Sequence, residues 1–320
     1  MVRVTVLASG SKGNSTIVSS NRTRILVDAG LSCRELFKRM QAAGEDPQTL
    51  DAILITHEHQ DHVQGVSVTA RKLGIPVYFT EATHRAWIRW MTPQKRVTYA
   101  DWLAQRKADS AAKQALAEIV CDAATSDHLA ERESLDLTAS EADDEIRDLP
   151  DPCALPGVEY FKAGCGFCIG DIAIAPFTTP HDAADPCGFV FVAEGIRVAV
   201  ATDLGYIPSN VQMHLQHCDV LMLESNHDLE MLRDGPYPWS VKQRVLSRVG
   251  HLSNDATADF LSRTYDGYAT YVILAHLSES NNLPELARVS AERALRHRTN
   301  LLGNKLVLAR QSLPIDPISL

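Results

Sequence analysis

The feature that most constrains this chain is a run of metal-binding side chains directly after a short apolar segment. Residues 53–55 are apolar and mostly β-branched, which predicts a buried strand, and the polar residues after them include His57, His59, Asp61 and His62. In extended chain His57 and His59 face the same way, and the other two can turn back toward them once a helix begins. Four donors exceed the need of one zinc-type site. The motif therefore predicts two adjacent metal ions with positions left open for water.

Four further motifs contain residues that suit the same site. They are Asp28 in Leu-Val-Asp-Ala-Gly, His181 in Thr-Pro-His-Asp, Asp203 in Ala-Thr-Asp-Leu-Gly and His276 in Leu-Ala-His-Leu-Ser. With His-x-His-x-Asp-His at a strand end, and in this order, they resemble the metallo-β-lactamase superfamily. Within it the chain resembles the YycJ/WalJ-type proteins, through ASGSKGNS at 8–15, PHDAADP at 180–186, ESNHD at 224–228, GHLSN at 250–254 and AHLSESNN at 275–282.

Predicted strands and helices alternate through both halves of the chain, so each half is expected to form a β-rich layer with helices outside it. The resemblance implies an α/β fold, the four-layered αββα sandwich of metallo-β-lactamases, formed by one domain over residues 1–320. The site is then expected in the cleft between the two sheets.

Residues 101–160 depart from this pattern and predict an acidic insertion within the domain. The segment holds 15 Asp and Glu against 5 Lys and Arg, and its apolar periodicity is weak after Val120. We expect a helix from about Ala104 to Val120 and a mobile acidic loop after it. Elsewhere 26 basic residues accompany 25 acidic ones, so the formal charge of −9 does not exclude a nucleic-acid substrate at the site.

The composition also indicates the compartment in which this protein is expected. No apolar run approaches the roughly 20 residues of a membrane span, and the N terminus lacks the apolar region of a signal peptide. We therefore expect a cytoplasmic protein with no membrane partner. The seven cysteines are odd in number and scattered, so a disulfide framework is not expected.

The resemblance implies two divalent metal ions per chain, held by seven side chains. One ion is assigned to His57, His59 and His181, the other to Asp61, His62 and His276, with Asp203 bridging the two. Imidazole and carboxylate ligands of this kind suit zinc or manganese.

Two further elements are expected to serve the site. Asp28, at the end of its strand, is expected to support the metal ligands from behind. The Gly/Ser loop after the first strand can present backbone N–H groups to a phosphate, or it can be a plain connecting turn. Its candidate phosphate-binding residues are Ser9, Gly10, Ser11, Gly13 and Asn14.

Glu224 and His251 are the residues that indicate phosphodiester chemistry. In the similar tRNA-processing enzymes an acidic residue and a histidine in these contexts cooperate, and the histidine protonates the leaving oxygen. The resemblance therefore implies that His251 is a general acid held in orientation by Glu224. Asp61 is included with these catalytic residues, and the neighbouring His227 is a weaker candidate.

Three functions remain open from the sequence. The resemblance favours a 5′-to-3′ exonuclease acting on double-stranded DNA. The alternatives are a metallo-hydrolase of RNA or of a small or cyclic phosphodiester, and a metal-bound regulatory protein without turnover. About 20 residues separate Asp203 from Glu224, too few for the extra clamping domain of the β-CASP nucleases, so that subgroup is disfavoured.

Overall fold

Two seven-stranded sheets form the centre of the structure, a computed structural model that describes residues 1–92, 103, 106, 107, 151, 153–296 and 304–320. Both sheets belong to one compact unit, made of Met1–Met91 and Pro152–Leu320, and Thr92–Asp151 form a second unit. Of the helix predicted from about Ala104 to Val120, Arg106 and Lys107 are described and are helical. The rest of that helix and the predicted acidic loop lie outside the described residues.

The first sheet comes mainly from the N-terminal half of the chain. In spatial order its strands are β14 (Ile318–Ser319), β1 (Arg3–Ala8), β2 (Ser15–Ser19), β3 (Arg24–Val27), β4 (Ala52–Leu54), β5 (Val77–Phe79) and β6 (Val158–Tyr160). Pairing is antiparallel from β14 to β3 and parallel from β3 to β6. Because parallel strands end at the same edge, the residues after β3 and β4 become neighbours.

The second sheet repeats this order of pairings with the C-terminal half. In spatial order its strands are β7 (Phe167–Ile169), β8 (Ile172–Thr178), β9 (Cys187–Ala193), β10 (Ile196–Ala201), β11 (Val220–Glu224), β12 (Tyr271–Ala275) and β13 (Lys305–Leu308). Pairing is antiparallel from β7 to β10 and parallel from β10 to β13. The carboxyl ends of β10, β11 and β12 therefore meet at one edge, where the motifs of the second half follow.

Helices flank the two sheets. In the described residues they are α1 (Cys33–Ala42), α2 (Gln60–Val63), α3 (Val66–Leu73), α4 (Glu81–Met91), α5 (Ser209–His214), α6 (Leu229–Asp234), α7 (Trp239–Val245), α8 (Asn254–Arg263) and α9 (Pro284–Leu295), with a 3-10 turn at Pro47–Thr49. The sequence pattern does not predict α5, α6 and α7, because helices of 6 or 7 residues are too short to display a 3.6-residue period.

Two serines cap helices that serve the site. Ser32 Oγ accepts the N–H of Glu35 at 3.4 Å and so caps α1 at its N terminus. Ser253 Oγ accepts the N–H of Ala256 at 3.1 Å, so Ser253 is the N-cap of α8. Asn254 is the first residue of α8, and its side chain hydrogen-bonds to Ser225 and Asn282.

Apolar side chains form three clusters that separate four layers. The central cluster joins the facing sides of the sheets, with Val6 and Leu54 from the first and Phe189 and Phe191 from the second. A second cluster joins the outer face of the second sheet to α5, α8 and α9, and a third joins the outer face of the first sheet to α1, α3 and α4. The αββα sandwich implied by the resemblance is thus confirmed. Among the described residues, no helix combines the length and apolar character that crossing a bilayer requires.

Candidate active site

The His-x-His-x-Asp-His motif adopts the local structure expected from its sequence. β4 ends at Leu54, and α2 begins at Gln60 with His59 as its N-cap. Asp61 and His62 therefore lie in the first helical turn, where the chain turns back toward the histidines before it. The motif lies at the carboxyl edge of the first sheet.

Three histidines from two separate loops form the first group of donors. His57 Nε2 lies 3.0 Å from His59 Nδ1, and His59 Nδ1 lies 3.3 Å from His181 Nε2. The loop after β8 brings His181 to this position, and the carbonyl oxygen of Gly250 lies 3.1 Å from the other ring nitrogen, Nδ1. This contact leaves Nε2 of His181 directed at the other two histidines.

A second group is centred on the carboxylate of Asp61. Asp61 Oδ2 lies 3.5 Å from His62 Nε2 and 3.6 Å from His276 Nε2. Asp203 lies between the two groups, with Oδ2 3.4 Å from His62 Nε2 and Oδ1 4.0 Å from His181 Nε2. The structure thus brings all of the predicted ligands into one cluster, and their role as metal ligands stays a prediction.

The chemistry of this cluster fits divalent cations. Asp203 Oδ2 and His276 Nε2 are buried and hydrogen-bond to no described residue, whereas buried polar atoms normally have partners. Burial lowers the pKa of His62 and of His276, but the surrounding carboxylates override it and raise both pKa values well above the usual range. The electrostatic potential of the carboxylates at these imidazoles therefore favours a positive charge. A bound cation would supply that charge.

Three residues of the site have a left-handed backbone. Asp28, Asp203 and His276 have φ values of 59°, 60° and 56°, and each follows the end of a strand, β3, β10 or β12. Outside glycine such conformations cost on the order of 1–3 kcal/mol and persist where the surrounding structure fixes them. The same local turn thus directs one side chain from each of these strand ends toward the cluster.

Asp28 hydrogen-bonds to His62 from behind the cluster, and its role in supporting metal ligands stays a prediction. Its carboxylate accepts hydrogen bonds from Thr56 N at 2.8 Å, from Thr56 Oγ1 at 2.9 Å and from His62 Nδ1 at 2.7 Å. Burial raises the pKa of Asp28, and the charge and hydrogen bond of His62 offset only part of that increase. By holding Nδ1, Asp28 fixes the His62 ring so that Nε2 points into the cluster.

Glu224, the last residue of β11, is fully buried beneath the cluster. Its Oε1 accepts hydrogen bonds from His251 Nδ1 at 2.7 Å and from His276 Nδ1 at 2.9 Å, and Oε2 accepts the N–H of Leu204 at 2.9 Å. Burial favours a raised pKa for Glu224, but the charge of His251 and its hydrogen bond outweigh burial and lower the pKa below the usual range. Glu224 is therefore an ionised carboxylate shared by a candidate acid and a candidate ligand.

His251 lies beside both groups of candidate metal ligands. The centroid of its ring lies 5.1 Å from that of His181 and 5.1 Å from that of His276. The side chain is 18% exposed, whereas those of His181 and His276 are 1% and 3% exposed. Of these three histidines, His251 is the one that solvent or a substrate reaches most readily.

His227, the weaker candidate, is placed differently. It is 1% exposed, and neither ring nitrogen hydrogen-bonds to a described residue. Burial lowers its pKa to about 4, so the ring is neutral near pH 7. It does not belong to any of the metal-suited donor groups found among the described residues.

A buried amide network, which sequence reasoning missed, ties together the loops of the second sheet. Ser225 Oγ donates to Asn254 Oδ1 at 2.7 Å, Asn254 Nδ2 donates to Asn282 Oδ1 at 2.8 Å, and Asn282 Nδ2 donates to Ser225 O at 2.9 Å. Asn226 Nδ2 donates to His276 O at 2.8 Å. The available signal was the Ser and Asn residues in three of the stretches that carry the family resemblance. The network holds the segments bearing Glu224, His251 and His276 in fixed positions.

The Gly/Ser loop braces the site through its own hydrogen bonds. Ser9 Oγ accepts the N–H of His276 at 2.7 Å, and Asn14 Nδ2 donates to Asp61 Oδ2 at 3.1 Å. The N–H of Gly10 donates to Asn14 Oδ1, the N–H of Gly13 to Gly10 O, and the N–H of Asn14 to Asp61 O. Ser11 is exposed. These N–H groups are directed into the protein, and phosphate binding by the loop stays a prediction.

Comparison with known proteins agrees with this geometry. Family models for the metallo-beta-lactamase superfamily and for a beta-lactamase superfamily domain match residues 8–129 and 99–277. Exodeoxyribonuclease WalJ of Streptococcus pneumoniae is 33% identical over 288 residues, covering 90% of this chain and 86% of WalJ. Exodeoxyribonuclease YycJ of Bacillus anthracis is 32% identical over 293 residues, covering 92% and 89%.

Among solved structures, the metallo-beta-lactamase fold protein YhfI of Bacillus subtilis superposes with a TM-score of 0.60 at 13% identity, covering 98% of this chain and 99% of YhfI. At that identity the likeness concerns the fold. The sequence matches extend over both sheets and over the motifs that form the cluster. The chain belongs to the metallo-beta-lactamase superfamily, together with the WalJ and YycJ proteins.

Proposed function

We propose that this protein is a metal-dependent phosphodiesterase, and specifically an exonuclease that degrades double-stranded DNA from the 5′ end. Two relatives at 33% and 32% identity are named exodeoxyribonucleases. The observation that carries the proposal is the pairing of Glu224 with His251 directly beside the His and Asp cluster. Metal donors alone would suit a binding protein, whereas an oriented imidazole next to them supplies an acid for a leaving group.

We assign two divalent ions, zinc or manganese, to the cluster. The first group is His57, His59 and His181, the second is Asp61, His62 and His276, and Asp203 lies within reach of both. Imidazole and carboxylate donors without thiolates suit either metal. When bound, such ions activate a water at neutral pH and stabilise charge on the phosphoryl oxygens.

The side chains of the protein orient and move the leaving-group proton. Because Glu224 is ionised, it accepts a hydrogen bond from Nδ1 of His251 and holds the ring in one orientation. The second proton is then on Nε2, which donates it to the oxygen leaving phosphorus. Glu224 stays buried and charged throughout, and so stabilises the protonated ring that precedes this transfer.

Hydrolysis of RNA or of a small phosphodiester would use the same groups. End-labelled DNA and RNA substrates distinguish these reactions. The purified protein is incubated with manganese or zinc and with duplex DNA, single-stranded DNA or RNA, each labelled at the 5′ or the 3′ end. We expect mononucleotide release from the 5′ end of duplex DNA. Early release of label from the 3′ end would reverse the polarity, and preference for RNA would favour the tRNA-processing alternative.

Asp61→Ala and Asp255→Ala are the matched variants for this assay. Asp61 is the carboxylate at the centre of the second donor group, whereas Asp255 is exposed in the first turn of α8. Asp61→Ala should lose activity and Asp255→Ala should keep it. Absence of cleavage of every substrate by metal-loaded wild type would favour a regulatory protein without turnover.

A further inference from the structure

The phosphates of a nucleic-acid substrate need binding partners beside the site, and several groups there already have partners within the protein. The N–H groups of Gly10, Gly13 and Asn14 donate within the protein. Two nearby cations are neutralised, since Lys12 Nζ lies 2.5 Å from Glu279 and the guanidinium of Arg244 forms two contacts of 2.5 and 3.1 Å with Asp182. A cation without a carboxylate partner is therefore the better candidate for a further phosphate contact.

Arg248 is an exposed cation that stacks on an aromatic ring. Its side chain is exposed, and its guanidinium carbon lies 4.1 Å from the centroid of the Tyr206 ring. No ion pair links it to a carboxylate in the part of the chain that the structure describes. Stacking on an aromatic ring uses one face of a guanidinium and leaves its N–H groups free at the edge, which is the edge that binds phosphate.

The backbone on both sides of this stack is fixed to the active site. A Cβ atom built on Gly205, two residues after Asp203, would lie 2.4 Å from the carbonyl carbon of Arg248, so the two segments are in direct contact. Val249 O accepts the N–H of Asp182 at 3.1 Å. His251 lies three residues after Arg248 in the same segment. Arg248 is therefore carried by the loop that positions the candidate acid.

We infer that Arg248, braced on Tyr206, binds a backbone phosphate of the nucleic acid next to the phosphodiester that is cleaved. The inference rests on the proposed nuclease function and adds a substrate contact to it. Guanidinium groups match phosphate through paired, charge-assisted N–H···O bonds, and a stacked side chain loses less conformational freedom on binding. The contact would hold the strand while His251 acts on the leaving oxygen.

The test compares salt dependence on DNA with turnover of a small diester. For wild type, Arg248→Ala, Arg248→Lys and Tyr206→Leu, kcat/KM is measured on end-labelled duplex DNA across a KCl series and on thymidine 5′-(p-nitrophenyl phosphate). The control is Arg263→Ala, which removes one charge from the last turn of α8, where Arg263 pairs with Asp259. Metal content and the thermal midpoint of each variant are recorded.

Arg248→Ala should lose about tenfold more on DNA than on the small diester at low salt. Its plot of log kcat/KM against log salt should be shallower by about 0.9, the contribution of one phosphate contact. Arg248→Lys and Tyr206→Leu keep the charge, so they should keep the wild-type slope with smaller losses on DNA. Arg263→Ala should match wild type.

Two results would overturn the inference while the nuclease function stands. One is an unchanged salt slope in Arg248→Ala although wild type degrades DNA, and the other is an equal loss on both substrates, which would make Arg248 a support of the His251 loop. If wild type degrades no nucleic acid but hydrolyses the small diester, the proposed function itself fails and this inference fails with it.

Discussion

Replacing Glu224 by Gln tests whether one buried carboxylate organises the second sheet's share of the site. Its two oxygens accept from His251 and His276 on one side and from the backbone N–H of Leu204 on the other. An amide has one accepting oxygen, and its NH2 group must face donors on the remaining side. With the oxygen toward the imidazoles, the NH2 group faces the N–H of Leu204 and both donors lack an acceptor; with the NH2 group toward the imidazoles, His251 and His276 must both give up the Nδ1 proton in order to accept.

The loss of stability expected for Glu224→Gln follows from this count of donors and acceptors. Each buried polar group left without a partner costs about 1–3 kcal/mol, and Glu224 is 0% exposed. The variant should therefore lose at least about 1–3 kcal/mol in the free energy of unfolding. Activity should fall more on a diester with a poor leaving group than on a nitrophenyl ester, because the orientation of His251 is disturbed. Metal content should also fall, because His276 shares the carboxylate.

Chemical unfolding of chelator-treated Glu224→Gln and Glu230→Gln compares their free energies of unfolding with wild type. Chelation removes the stabilisation that bound metal adds. Glu230 is exposed in the first turn of α6, so its variant should stay within about 0.5 kcal/mol of wild type. A stability of Glu224→Gln equal to that of the control would refute the reasoning, because it would mean that the buried carboxylate is not required by its three donors.

Four further outcomes are expected. Metal analysis should find about two equivalents of divalent metal, lost together with activity in His59→Ala, and an active preparation with one equivalent would contradict the two-ion assignment. His251→Ala should keep its metal and lose about 10²–10⁴-fold on a diester with a poor leaving group, but far less on a nitrophenyl ester; equal losses would indicate substrate positioning. Deletion of residues 108–150 should leave nuclease activity within a few-fold, whereas a large gain in DNA affinity at low salt would reveal autoinhibition. Burial raises the pKa of Cys187 to about 12, so at pH 8 a thiol-reactive disulfide should modify the exposed Cys165 much faster, and comparable rates would mean that Cys187 is not shielded.

The sequence was most informative where a local pattern has one structural outcome. The apolar run before His57 predicts a strand, and the polar run after it predicts a loop and a helical turn, as found in β4 and α2. The donors that follow strand ends, in the order of the family motifs, predicted the cluster through the resemblance. The pattern did not predict α5, α6 and α7, which are too short for a helical period.

Other features depend on contacts between residues far apart in the chain, and no local pattern specifies such contacts. Gly30 approaches Asp61 so closely that an added Cβ would lie 1.6 Å from its carbonyl oxygen, a requirement that only packing reveals. The sharing of Glu224 by two histidines likewise depends on the parallel pairing of β11 with β12.

The sequence thus determined which side chains can bind metal and which strands deliver them, because those properties belong to residue type and to neighbours along the chain. The tertiary structure decided which atoms face one another. It directed the Gly/Ser loop N–H groups into the protein, set Arg248 on Tyr206 beside Gly205, and fixed Asp203 and His276 in left-handed turns. Such arrangements arise when the packing of two sheets and their loops outweighs local preference, so they become visible only when the whole chain is folded.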